Sequence, residues 1–137
     1  MTTQTDPVIL QIIELAKKDN SIELLWLYGS RATGKSTESS DYDLAVAYRE
    51  FEKDPYQATI RPHLLAMDWR NELGLGESQL SVVDINRCPI PLAYNIVDQG
   101  QLLLSKDDLR QAREQSRIWG LWADQEEWVK VMERDSR

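Results

Sequence analysis

Two aspartates separated by one residue, Asp41 and Asp43, have the clearest chemical potential in this sequence. They begin an apolar run typical of a β-strand, and side chains alternate across a strand with period 2. Both carboxylates are therefore expected on one face, where their repulsion is costly without a cation. Mg²⁺ prefers such hard oxygen ligands and takes its remaining ligands from water and phosphate groups. The pair predicts a magnesium-dependent phosphate site.

A third carboxylate, Asp84, ends a later apolar segment in the alternation Leu80, Val82, Asp84. One register of that strand against its neighbour would bring Asp84 beside Asp41 and Asp43, although Asp84 could instead begin a turn. Three converging carboxylates can hold two Mg²⁺ ions, which position an incoming hydroxyl and stabilise a leaving pyrophosphate. We therefore predict that all three aspartates are metal ligands and catalytic residues.

A glycine and a serine, Gly29 and Ser30, follow an apolar run and are predicted to hold the phosphates. Glycine lets the backbone approach a phosphate closely, and a serine that starts a short helix offers a hydroxyl and a backbone N–H. Arg31 places a positive charge near the expected triphosphate, although a structural ion pair would account for it equally well. Ser40, directly before the aspartate pair, completes the predicted nucleotide-binding set.

The stretch GSRATGKS, residues 29–36, also matches a complete P-loop pattern, and residues 81–84 could be the strand and aspartate of its partner motif. The lysine and serine of a P-loop open a long helix that packs on the sheet through an apolar face. Here Lys35 and Ser36 are followed by Thr-Glu-Ser-Ser and then by a predicted strand, which leaves no room for that helix. We interpret the P-loop match as accidental.

The hydrophobic pattern predicts one domain over residues 1–137, with a small mixed sheet backed by helices in the order α-β-β-α-β-α-β-α. Asp6 and Pro7 are a helix cap and first residue, Pro62 is expected to kink or restart the second helix, and Gly74 and Gly100 are expected terminators. Strands are predicted at 22–28, 41–48, 79–85 and 102–104. Helices are predicted from residue 7 to an end within 17–20, over much of 56–73, at 89–98 and from 107 to about 133.

Composition limits the kinds of partner and location. The 137 residues are 42% hydrophobic and 28% charged, without the run of about 20 apolar residues that crosses a bilayer. The N-terminus lacks a signal-peptide pattern, so we predict a cytoplasmic protein. One cysteine and one histidine, Cys88 and His63, leave no soft-metal cluster. A net charge of −7 argues against binding of long nucleic acids.

The sequence resembles the minimal nucleotidyltransferases, the MNT-domain branch of the DNA polymerase beta superfamily. The resemblance rests on YGSRATG at residues 28–34, SDYDL at 40–44, the strand with Asp84, and VDQG at 97–100. It covers about residues 22–104, and its more specific motifs lie in the first half. The resemblance implies an α+β fold of the polymerase beta-like type.

The resemblance also implies functional roles. Asp41, Asp43 and Asp84 correspond to the family's metal ligands, and Gly29 and Ser30 to its triphosphate-holding residues. Members of this size commonly act as antitoxins beside a HEPN-domain ribonuclease, and the chain resembles an adenylyltransferase that uses ATP and Mg²⁺ to modify a tyrosine of its toxin. Two alternatives stay open: a binding-only antitoxin that masks its partner, and a transferase for a small hydroxyl-bearing substrate.

The last predicted helix carries more large apolar side chains than one buried stripe requires. A stripe that packs on the sheet as core would account for most of them. A second face with Trp119 or Trp128 would anchor a protein partner, because aromatic residues are favoured at interface centres. The apolar residues of this helix are Ile118, Trp119, Leu121, Trp122, Trp128, Val129 and Met132.

Overall fold

A computed structural model of the chain describes residues 6–135, which contain four helices and four strands in the predicted order. The α+β prediction is therefore confirmed. The prediction of a single domain extends to residues 1–5 and 136–137, which lie outside the described residues. The elements are α1 (Pro7–Lys18), β1 (Ile22–Tyr28), β2 (Tyr42–Tyr48), α2 (Pro55–Leu73), β3 (Leu80–Asp84), α3 (Ile90–Gln99), β4 (Gln101–Ser105) and α4 (Asp108–Asp135).

The strands form one mixed sheet in the order β3-β2-β1-β4. The central strand β1 is antiparallel to both neighbours, whereas β2 and β3 are parallel. Both faces are covered, which explains why β1 is a continuous apolar run. Helices α1 and α2 pack on one face against Leu25, Leu27 and Leu44, while α3 and α4 pack on the other against Trp26 and Ala45.

Local signals set the helix boundaries. Asp6 caps α1 by accepting a hydrogen bond from the Val8 N–H at 2.9 Å, with Pro7 in the first turn. Helix α2 is continuous through Pro62, so it does not restart there. It ends at Gly74, whose φ of 67° lies in the left-handed region that favours glycine. Within residues 6–135, no helix combines the length and apolarity that a membrane crossing requires.

The apolar residues of α4 do not all pack as core, because the helix packs on α3 and then extends beyond the sheet. Ile118 is fully buried, and the Trp122 ring stacks on Tyr94 with the centroids 4.7 Å apart. Val129 lies seven residues beyond Trp122 on the same helix face, yet it is 52% exposed. The C-terminal part of this apolar face is therefore only partly covered, with Ile90 and Pro91 at the start of α3 as its neighbours near Val129.

A buried carboxylate holds the first turns of α4 to the sheet. Glu114 is 7% exposed and accepts hydrogen bonds at 2.9 Å from the Asn86 amide, at 3.0 Å from Arg110 Nε and at 2.9 Å from Arg117 Nη2. Burial alone would raise the pKa of Glu114, but the hydrogen bonds from these three side chains outweigh it and lower the pKa below its usual value. The carboxylate form therefore stabilises the fold.

Glu114→Gln is expected to lower the free energy of unfolding by about 1 to 3 kcal/mol at pH 7, because it leaves two partly buried guanidiniums without a counter-charge. The pKa is lowered in the folded state, so this stabilisation is present above pH 4.5 and is lost as the pH falls through the folded pKa. Urea unfolding at several pH values measures the difference. Glu126→Gln, at an exposed position of α4, is the matched control.

Equal unfolding free energies of Glu114→Gln and Glu126→Gln at pH 7 would contradict this account. A difference that persists unchanged well below pH 4.5 would assign the loss to packing and not to charge.

Candidate metal and nucleotide site

The aspartate pair lies at the start of β2. Asp41 directly precedes the strand and is exposed, and Asp43 is half-buried. Tyr42 between them is 7% exposed and belongs to the core under α1 and α2, so the strand alternation places both carboxylates on the opposite face. Burial raises the pKa of Asp43 above its usual value, a hydrogen bond from Ser81 opposes this, and the charge of Asp41 adds to it. The predicted shared face is confirmed.

Gly29 is brought directly against this pair by the antiparallel pairing of Tyr28 with Asp43. It begins the turn after β1 with a φ of 75°. A Cβ built at this position would collide with Asp43 Oδ2 and lie 3.3 Å from Asp43 Cγ. Only glycine therefore allows the turn to approach the carboxylate this closely.

The loop after Gly29 forms turns and no helix. The N–H of Thr33 donates to the Gly29 carbonyl at 3.3 Å, and the N–H of Lys35 donates to the Ser30 carbonyl at 3.0 Å. The expectation that Ser30 starts a short helix is therefore wrong, because the chain turns back towards β2 within a few residues. The absence of a helix after Lys35 and Ser36 is confirmed, which removes the P-loop interpretation.

The Arg31 side chain stabilises this loop through several contacts. Its Nε and Nη2 donate to the Ser40 carbonyl at 3.0 and 2.7 Å, its Nη1 lies 3.5 Å from Asp6 Oδ2, and its guanidinium lies 4.0 Å from the centroid of the Tyr42 ring. The Ser40 hydroxyl accepts from the Thr37 N–H at 2.8 Å. Arg31 thus has the structural ion pair that the sequence left open, and the phosphate contacts of Arg31 and Ser40 stay a prediction.

The predicted third carboxylate is not at this site. Leu80 pairs with Tyr42 and Asp84 pairs with Val46, so Asp84 faces away from Asp43 and lies about 10 Å further along the sheet. Among residues 6–135, no group of three histidine, cysteine or carboxylate side chains could hold a metal ion. The prediction that Asp84 joins the pair is wrong, because the register places its alternation on the opposite face.

Asp84 begins a turn, which is the alternative that the sequence left open. It accepts a hydrogen bond from the Asn86 N–H at 2.9 Å and so begins a turn after β3. Burial raises the pKa of Asp84, opposed first by that hydrogen bond and then by nearby arginines.

Ser81 occupies the place that Asp84 was expected to fill. It pairs with Asp43 in the parallel register, shares its face, and its Oγ donates to Asp43 Oδ1 at 3.1 Å. Sequence reasoning missed this residue, although a polar side chain inside the apolar strand LSVVD was a signal. The site thus combines two carboxylates, one hydroxyl and the backbone turn at Gly29.

This donor set fits a magnesium ion that is bound together with a nucleotide. Mg²⁺ is commonly held by one or two carboxylates, with phosphates and water as its other ligands. Asp41 and Asp43 provide the carboxylates on an accessible face, and the turn at Gly29 and Ser30 lies beside them. The arrangement is suited to holding one metal with a triphosphate, whereas a second ion lacks the third carboxylate on which that prediction depended.

The fold and the paired carboxylates define a domain of the nucleotidyltransferase class, with the fold expected from the sequence. A family model described as "Polymerase beta, Nucleotidyltransferase" matches residues 10–109 of the chain. The chain therefore belongs to the polymerase beta nucleotidyltransferase family. The match ends as α4 begins, so most of that helix lies outside the region shared with the family.

Similar proteins include a curated relative and several solved structures. The chain is 28% identical over 107 residues to the protein adenylyltransferase MntA of Aphanizomenon flos-aquae (strain 2012/KM1/D3), a match that covers 71% of this chain and 69% of that protein. A crystal structure of a toxin-antitoxin with AMP-PNP contains a chain with a TM-score of 0.73 and 20% identity, covering 93% of this chain and 96% of the other.

A second solved structure is a tri-AMPylated Shewanella oneidensis HEPN toxin in complex with an MNT antitoxin. Its matching chain has a TM-score of 0.67 and 20% identity, and the match covers 93% of this chain and 94% of the other. At these identities the solved structures establish the shared fold.

Proposed function

We propose that this protein is an antitoxin adenylyltransferase that transfers AMP from ATP, with Mg²⁺, to a tyrosine hydroxyl of a HEPN-type ribonuclease toxin. The observation that carries the proposal is the pair Asp41 and Asp43 on one accessible face, in contact with the turn at Gly29. The relative that is a protein adenylyltransferase and the fold shared with chains of toxin-antitoxin complexes support the choice of reaction and partner. We infer that residues 1–137 act as one domain in the cytoplasm.

Each residue of the site has a role in this reaction. Asp41 and Asp43 would hold the metal, and the metal when bound supplies positive charge to the phosphates. The turn at Gly29 admits the triphosphate close to the backbone, and Ser30 in that turn offers a hydroxyl and an N–H. Ser81 orients Asp43 through its hydrogen bond. The acceptor oxygen attacks the α-phosphorus, the bond to pyrophosphate breaks, and the hydroxyl proton is released.

A protein acceptor suits both the charge and the shape of the chain. A net charge of −7 opposes binding of an RNA acceptor. The exposed apolar face of α4 offers an interaction surface of the kind that aromatic anchors create. Its residues Leu121, Trp128, Val129 and Met132 are between 39% and 65% exposed. We infer that this face docks the toxin while the aspartate pair modifies it.

Masking without catalysis is the second candidate, and the missing third carboxylate favours it. A protein that only binds its partner needs the α4 face and does not need a complete metal site. The two functions are distinguished by intact-mass measurement of a HEPN-type toxin that this protein binds, after incubation with ATP and Mg²⁺. Added masses of adenylyl units support the transferase. An unmodified toxin that is nevertheless inhibited in the complex supports masking.

Ser81→Asp is expected to strengthen magnesium binding because it places a third carboxylate beside Asp43 on the same face. We expect the apparent Mg²⁺ affinity in the presence of a nonhydrolysable ATP analogue to rise about tenfold, measured from the melting temperature. Val83→Asp is the matched control, since Val83 shares that face two residues further along β3. An equal gain for both variants would mean that bulk negative charge, and not position, binds the ion.

A further inference from the structure

The two oxygens of the Asp43 carboxylate lie against different strands. Oδ2 lies against Gly29, which follows β1 and where a Cβ would collide with it. Oδ1 accepts the hydrogen bond from Ser81 Oγ at 3.1 Å, and Ser81 belongs to β3. The candidate site therefore has a β1 side, which contains the turn at Gly29, and a β3 side, which contains Ser81.

The β3 side is the more accessible of the two. Strand β1 lies between β2 and β4, and helix α3 packs on it. Strand β3 is at the edge of the described sheet, and helix α2 packs on its opposite face, against Leu80 and Val82. Ser81 is exposed, and Val83, which shares its face, is partly exposed. A protein partner therefore has open access to the aspartate pair along β3.

The transfer of AMP determines on which side the acceptor stands. In an in-line displacement, the attacking and leaving oxygens lie on opposite sides of the phosphorus. The turn at Gly29 holds the triphosphate in the proposed reaction, so pyrophosphate leaves on the β1 side. The acceptor oxygen then attacks from the β3 side. Its bond to the α-phosphorus forms, the bond to pyrophosphate breaks and its electron pair leaves with pyrophosphate, and the acceptor proton passes to water.

We propose that the tyrosine modified by this protein lies along β3, with its hydroxyl beside Ser81 and its ring against Val83. The proposal rests on the proposed AMP transfer and assigns the acceptor side of the same site. Val83 lies two residues beyond Ser81, about 7 Å further along the strand. A tyrosine ring extends from its hydroxyl over that distance and contacts Val83 through apolar atoms. Serine and threonine carry the hydroxyl on Cβ and have no ring to place there, so Val83 favours tyrosine as the acceptor.

Val83→Thr tests this contact, because it replaces one methyl group by a hydroxyl at nearly constant size. The assay is single-turnover AMP transfer at saturating ATP and Mg²⁺ in the purified complex with a HEPN-type toxin, followed by intact-mass spectrometry. We expect the rate to fall about tenfold, the effect of one apolar group in a specificity pocket. The affinity for AMP-PNP with Mg²⁺, measured by calorimetry, is expected to equal that of the wild type.

Two further variants separate the contact from a folding effect. Val8→Thr is the matched control, since Val8 is also partly buried but lies on α1, on the other face of the sheet. It is expected to transfer AMP as the wild type does. Val83→Ile restores an apolar contact and is expected to transfer faster than Val83→Thr. The melting temperatures of the two threonine variants show whether either substitution destabilises the fold.

The acceptor preference gives a second measure, for which the modified tyrosine of the toxin is replaced by serine. The wild type is expected to modify tyrosine faster than serine, and Val83→Thr is expected to reduce that ratio. Because both acceptors are compared on one variant, the ratio does not depend on the fraction of folded protein.

Four outcomes overturn the proposal. Val83→Thr transfers as fast as Val8→Thr, or keeps the wild-type preference for tyrosine over serine. Val83→Thr binds AMP-PNP more weakly, which would place adenosine and not the acceptor over β3. The wild type modifies serine or threonine of the toxin. A wild type that adds no adenylyl unit overturns the proposed function together with this inference, whereas wild-type transfer with an unaffected Val83→Thr overturns this inference alone.

Discussion

Replacement of both Asp41 and Asp43 by asparagine is expected to abolish AMP transfer and leave the fold intact. The two substitutions keep side-chain size and remove the charge that would hold the metal and its triphosphate. Loss of one preorganised electrostatic group commonly costs 10²- to 10³-fold in rate, so we expect a loss of more than about 10³-fold for the pair. Intact-mass spectrometry of the toxin, after incubation with ATP and Mg²⁺, measures the transfer.

The stability of this double variant is expected to equal or exceed that of the wild type at pH 7. Burial raises the pKa of Asp43 in the folded protein, and the charge of Asp41 raises it further. A raised carboxyl pKa means that the ionised form opposes folding above that pKa, so its removal relieves the fold. A melting temperature well below the wild type would show that the pair has a structural role instead.

Lys35→Ala is the control for this experiment, because Lys35 lies in the same loop and changes the charge by one unit. Transfer by this variant is expected to stay within a few-fold of the wild type, since no helix follows Lys35 to complete a P-loop. If the asparagine double variant still protects cells from the toxin, and no mass is added by the wild type, the protein neutralises its partner by masking alone.

The strands, and the residues within each strand that share one face, were predictable from the sequence because they depend on local pattern. The apolar run over residues 22–28 and the alternation around Tyr42 are properties of a few neighbouring residues. The register between β2 and β3 is not local, because helix α2 separates the two strands in the chain. The alternation of side chains along β3 predicts that Leu80 and Val82 share one face of the sheet with Asp84. Only the pairing of Leu80 with Tyr42 shows which of the two faces that is.

The same distinction explains Arg31. Its position beside Gly29 suggested a phosphate contact, and the structure adds two partners: Tyr42 on β2, and Asp6, which α1 brings to the sheet. The prediction that one apolar stripe of α4 packs on the sheet as core was incomplete for a related reason. Periodicity located its apolar face through Ile118, but periodicity cannot show that the helix outlasts the sheet beneath it.

Gly29→Ala is expected to reduce AMP transfer about a hundredfold and to destabilise the protein. Comparison with Gly34→Ala separates the effect of backbone strain from the effect of the collision with Asp43. Both glycines have positive φ, 75° and 76°, so alanine is similarly strained at each. A Cβ at Gly34 has no atom within 4 Å, whereas a Cβ at Gly29 collides with Asp43 Oδ2 and must displace that carboxylate.

The expected result is therefore a shared loss of unfolding free energy of about 1 kcal/mol from backbone strain in both variants, with the loss of transfer confined to Gly29→Ala. Displacement of a reacting group by about 1 Å is sufficient for a hundredfold effect on rate. Urea unfolding and initial rates of toxin modification give the two quantities. Equal rates for the two variants would mean that the contact between Gly29 and Asp43 does not set the catalytic geometry, and the metal-holding role of Asp43 would then lose its structural basis.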